Sequence, residues 1–115
     1  MARKIQIQVA DIDMTATLNQ SVSADKLWDI LPTESPARVW GDEVYFDIPM
    51  HVDEDNAQAK VPSGTIAFWP QGDCFCIFFG QTPYSPVNVL GALDGDPKRF
   101  ADVKDGHTVR LSRVE

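Results

Sequence analysis

Along most of the chain, apolar residues recur at every second position for a short stretch and then give way to Gly, Pro or Asp. Ile5, Ile7 and Val9 alternate with Gln6 and Gln8, the pattern of a strand with one wet face. Over residues 43–48, Val44, Phe46 and Ile48 share one side while Glu43, Tyr45 and Asp47 share the other. The run Cys74-Phe75-Cys76-Ile77-Phe78-Phe79 has no polar residue, which predicts burial on both faces. A chain of many short strands separated by turn signals suggests a sandwich or a closed barrel, and closure hides the edges of a small sheet.

Further strands are expected through Met14, Ala16 and Leu18 and over residues 38–40, 65–69, 87–93 and 107–114. Turns are expected at Gly41-Asp42, at 70–73 and at 94–97, where Asp and Gly are favoured for backbone reasons. One helix interrupts the series. Ser23 is its expected N-cap, Asp25 suits the positive end of the helix dipole, and Leu27, Ile30 and Leu31 share a face before Pro32 stops it. Residues 98–103 read as an irregular helical turn, 51–59 as a polar, acidic loop, and 80–86 as a loop rich in turn formers. The expected architecture is all-β: a small closed β-barrel of about eight strands with one short α-helix. At 115 residues the chain suits a single domain spanning 1–115.

A hydrophobic fraction of 43% with three Trp, six Phe and two Tyr is enough to close a core at this length. The formal net charge of −7 argues against nucleic acid and anionic lipid as partners, because both need a basic surface. No apolar run is long enough to span a membrane, and the alternation after Lys4 breaks any secretory signal. Cys74 and Cys76 are expected to be reduced thiols in a cytoplasmic protein.

The run from Trp40 to Pro49 (Trp-Gly-Asp-Glu-Val-Tyr-Phe-Asp-Ile-Pro) resembles a signature of the small prokaryotic cyclophilin-like family. Gly64-Thr65-Ile66-Ala67-Phe68-Trp69-Pro70 is similar as well, as is the run from Cys76 to Pro83. Pro86 to Gly91 and the Phe100…Val103…Asp105-Gly106 tail complete the resemblance in the same order. It implies a closed barrel like that of cyclophilins with a cleft on one side. It carries no function, since folds host many functions. The prolyl isomerases of this fold use an Arg in a Phe-His-Arg segment beside a Phe-rich groove. That segment has no counterpart here, and Arg38 and Arg110 sit in predicted strands without such a context, so the residues argue against isomerase activity.

Glu43 and Tyr45 are expected on one strand face with Trp40 and Trp69 flanking them, and with Gln81 and Thr82 at the rim. Aromatic walls around a few convergent polar groups make a small-ligand pocket. The plainer alternative is that the tryptophans plug the barrel ends while Glu43 binds backbone amides of a turn. Cys74 and Cys76 face the same way, but zinc would need further ligands, and His51 and His107 have no ligand spacing to each other. Asp53-Glu54-Asp55 lacks the spacing of a calcium loop and reads as a solvated surface. Trp69-Pro70 is a candidate cis peptide. No cofactor is expected, and no phosphate cradle or nucleophile elbow appears.

Three functional classes remain open on the sequence. The first is a module binding a small molecule or short peptide. The second is an enzyme, a diverged prolyl isomerase or another small enzyme using Glu43 as acid or base. The third is an interaction domain using a sheet edge or an apolar patch.

Overall fold

The computed structural model describes residues 3–80 and 85–114. The N-terminal alternation forms β1 (Lys4–Val9), which turns through Ala10 into β2 (Ile12–Leu18). Ile5, Ile7, Val9, Ile12, Met14, Ala16 and Leu18 are all buried, so one face of this hairpin is core. The helix α1 (Val22–Ile30) follows. Its N-cap is Ser21 rather than Ser23, the Ser21 hydroxyl accepting from the Ala24 amide at 3.1 Å. Ser23 is fully buried two residues further on, where its hydroxyl accepts from Asn88 Nδ2 at 3.0 Å. The two serines compete for one role, and the tertiary partner of Ser23 decides it. Among the described residues the cis peptide bond is Leu31-Pro32, where α1 ends, and not Trp69-Pro70.

Two short strands come next, β3 (Thr33–Pro36) and β4 (Arg38–Trp40), and then β5 (Glu43–Asp47) after a turn at Gly41. The acidic segment contributes a two-residue strand, β6 (Ala57–Gln58), where only a loop is expected from sequence. The remaining elements are β7 (Thr65–Trp69), β8 (Cys74–Phe78), β9 (Val87–Leu93), a 3-10 turn (Pro97–Asp102) and β10 (Thr108–Val114).

All strands belong to one antiparallel sheet ordered β3-β10-β1-β2-β9-β7-β8-β5-β4, with β6 on β9. The protein is thus mostly β with one short α-helix, but the closed barrel expected from sequence is not formed by hydrogen bonds. The terminal strands of the sheet, β3 and β4, are neighbours in the chain separated by Ala37. Residues 33–36 pair with β10 while residues 38–40 pair with β5, so a single near-continuous segment spans the two ends of the ladder. Ala37 itself is buried, and its amide donates to the His107 carbonyl at 2.7 Å.

The main core packs Ile5, Ile7, Phe46, Phe68, Phe75 and Phe100, with the Phe46 and Phe75 rings stacked at 5.1 Å. The opposite face of β7 and β8 carries a second, smaller cluster of Val61, Ala67, Cys74, Cys76, Phe78 and Val87. Burial on both faces explains why the run at residues 74–79 has no polar residue. The acidic segment is tied to the sheet by Asn88, which is fully buried in β9. Its Oδ1 accepts from the Asp55 amide, and its Nδ2 donates to the Asp53 carbonyl and to Ser23 Oγ, all at 3.0 Å.

Candidate functional site

The site is built by register. Gly41 takes a left-handed φ of 57° in the β4–β5 turn and brings Trp40 opposite Glu43. Across the next ladder Glu43 faces Phe78 and Tyr45 faces Cys76, and across the one after that Ala67 faces Cys76 and Trp69 faces Cys74. Residues two apart on a strand share a face, so these side chains rise from the same surface of four neighbouring strands. They enclose an open cavity of about 340 Å³ lined by Trp40, Glu43, Tyr45 and Trp69 together with Cys76 and Phe78. Ser85 and Val87 complete the wall.

Four of the six residues proposed from sequence therefore line one cavity. The other two, Gln81 and Thr82, lie outside the described residues. Cys76, Phe78, Ser85 and Val87 are absent from the sequence-based set. The two-apart rule places Cys76 and Phe78 on one face of β8, but only the ladder register shows that this face is shared with Glu43.

The walls are held in place by specific contacts. Trp69 Nε1 donates to Ser85 Oγ at 2.8 Å. Its ring lies against Gly72, where an added Cβ would sit 2.4 Å from a ring carbon, so this close approach requires glycine. The Arg38 guanidinium lies over Tyr45 at 4.8 Å from the ring centroid and pairs with Asp47 at 2.7 Å.

Glu43 is the one charged side chain among the described lining residues. Its burial pushes its carboxyl above the ordinary glutamate value, and the neighbouring Cys76 thiol offsets part of that shift. Burial likewise pushes the Cys76 thiol well up, with the Glu43 charge adding to the effect. Cys74 rises to about 11, through burial first and then its hydrogen bond to Asp47. Both cysteines are free, buried and held as thiols, a setting opposite to that of a reactive nucleophile.

His51 is not part of this cavity. It is exposed, with Nδ1 at 2.6 Å from Asp73 and Nε2 at 3.0 Å from Asp53, contacts that raise its pKa, Asp73 most strongly. Among the described residues no three His, Cys, Asp or Glu side chains are grouped to hold a metal ion. Among them, too, no helix is long and apolar enough to cross a membrane.

The family described as cyclophilin-like matches residues 3–112. The solution structure of the hypothetical protein AF2241 from Archaeoglobus fulgidus superposes with a TM-score of 0.84 at 28% identity, covering 98% of this chain and 95% of that one. The structure of McbB in complex with tryptophan superposes with a TM-score of 0.76 at 23% identity, covering 95% of this chain but 44% of that one. No curated protein matches the sequence.

Proposed function

Since the chain belongs to the cyclophilin-like family, a fold that does not by itself assign an activity, we propose from its cavity that it is a binding protein for a small molecule or short peptide. The observation that carries this reading is the convergence of Trp40, Glu43, Tyr45 and Trp69 from three different strands on one space of about 340 Å³. That volume lies at the small end of the range for ligand pockets, and apolar walls with one placed acid are their usual composition. Sheet residues held by ladder register form a rigid, largely preformed site. The acidic surface and the buried thiols suit a cytoplasmic protein without nucleic-acid partners.

A thermal-shift screen of metabolites and short peptides tests this directly, because a ligand that binds only the folded state raises the melting temperature. The expected result is stabilisation by at least one compound, weakened by Trp69→Ala or Glu43→Gln. A silent screen at millimolar ligand overturns it. Tryptophan belongs in the screen as the molecule in the McbB complex, although at 23% identity that likeness shows the fold alone.

The raised pKa of Glu43 favours one second reading, in which this carboxyl acts as acid or base on a bound substrate. A prolyl-peptide assay with no acceleration over buffer removes its isomerase form. A pH-rate profile unmoved by Glu43→Gln removes the residue's role in any other turnover found.

A further inference from the structure

We propose, resting on the reading of the cavity as a ligand site, that its ligand is a small organic cation, an ammonium ion carried on an apolar or aromatic body. Three observations converge on that class. The first is the charge inventory. Among the described lining residues Glu43 alone is charged, and among the described residues it makes no ion pair. The nearby cation, Arg38, is engaged by Asp47 and does not line the cavity. An anionic ligand is repelled by this carboxyl once it is ionised. A neutral ligand strips more water from that carboxyl and returns at most a hydrogen bond. A cation compensates it.

The second observation is the nature of the walls. Trp40, Tyr45 and Trp69 present indole and phenol rings to the cavity, and the faces of these rings attract ammonium and guanidinium groups. The protein already uses Tyr45 in this way, with Arg38 stacked on it at 4.8 Å. Aromatic walls around one acid are the arrangement by which alkylammonium groups are recognised without a dense set of hydrogen bonds. The third is the field of the whole chain, whose net charge of −7 draws cations toward any acidic opening.

The protonation balance follows from the position of Glu43. Burial raises the pKa of Glu43, so at a pH where the carboxyl is still protonated an ammonium ligand displaces its proton to solvent. Affinity for the cation therefore rises with pH as Glu43 ionises and then levels off.

The test uses the full chain and three probes of one shape: phenethylamine, phenethyl alcohol and 3-phenylpropionate. Binding is read by titration calorimetry, with tryptophan fluorescence as a second signal. The expected order is amine, alcohol, carboxylate, with the amine about tenfold tighter than the alcohol. Near the Glu43 transition, calorimetry in two buffers of different ionisation enthalpy should show proton release with the amine. Glu43→Gln should bring the amine-to-alcohol ratio toward one. Trp40→Leu, at a position 51% exposed and so tolerant of change, should lower amine affinity several-fold. An alcohol or carboxylate that binds as tightly as the amine overturns the cation assignment and leaves the cavity reading standing. If all three are silent, the charge of what the wider screen finds decides: a neutral or anionic ligand overturns the assignment, and a cationic one supports it. A screen that finds nothing removes both readings together.

Discussion

Replacing Asn88 by Ala should cost about 3 kcal/mol, because the side chain makes three hydrogen bonds in a fully buried position and each contributes roughly 1 kcal/mol net. The figure is a lower bound in kind. The Asp55 amide, the Asp53 carbonyl and the Ser23 hydroxyl all lose a partner inside the protein, and orphaned buried groups cost more than the bonds themselves contribute. Against a total stability of about 5–15 kcal/mol this is a large fraction. With a urea slope of about 2 kcal/mol/M, the unfolding midpoint should fall by roughly 1.5 M at constant slope. The melting temperature should fall by roughly 12 °C. The loss should also be local, with hydrogen exchange accelerating at residues 53–58, which Asn88 ties to β9. Ser23→Ala should cost about 1 kcal/mol, and the double variant should fall short of the sum by about 1 kcal/mol because both changes break the one shared bond. A midpoint within about 0.3 M of the parent for Asn88→Ala, or unchanged exchange in the acidic segment, would refute the assignment of this residue as the anchor.

Glu43→Gln should raise the melting temperature at pH 7. The folded state raises the pKa of this carboxyl, so its relative stabilisation is present below the unfolded value near 4.5 and is lost as pH rises through the folded value. The advantage of the variant should therefore vanish in melts below pH 4.5, and a difference that persists there would contradict burial as its cause. Cys74, with its pKa of about 11 against an ordinary 9.0, should react with iodoacetamide at pH 8 about tenfold more slowly than a model thiol before any loss of access is counted, its thiolate being about a hundredfold scarcer but more nucleophilic. Mass spectrometry of timed samples reads this, and labelling at the model rate would mean that the thiol is not buried as described. Gly72→Ala should displace the Trp69 ring, shift tryptophan emission to the red and weaken any ligand of the cavity, and an unchanged spectrum would show that the ring does not rest there.

Strands carried by alternation are legible from the residues themselves, as β1 and β5 show, because a half-buried strand writes its inner face in every second position. β3 is not legible in that way. Its residues Thr33, Glu34, Ser35 and Pro36 carry no apolar alternation, and it is a strand because β10 lies beside it, a partner more than seventy positions away in sequence. β6 is likewise non-local, held by Asn56, whose side chain accepts from the Val89 amide and donates to the Val89 carbonyl. The site was partly readable for the same reason as the strands. Trp40, Glu43 and Tyr45 belong to one hairpin, whose turn at Gly41 fixes which residues are opposite. Cys76 and Val87 reach the cavity through register across other ladders, and register is not encoded in any one segment. Asn88 did leave a signal: a single amide in an otherwise apolar strand marks a buried network.

The position of β1 in the sheet also bears on how the protein is made. Its neighbours are β2 and β10, and the second pairing joins Lys4 to Val114 and Val9 to Val109. The β1–β10 ladder therefore joins the first and last strands of the described chain, and it stays unfinished until residue 114 has been synthesised. At about 5–20 residues per second, that leaves the open side of β1 unpaired for roughly 5–20 s. Pairing across such a separation in sequence also slows folding, since loop closure precedes any gain from the contact. During that interval Lys4, Gln6 and Gln8 interrupt the apolar residues of the strand with charge and polarity. Polar interruption of this kind discourages a waiting strand edge from pairing with another chain.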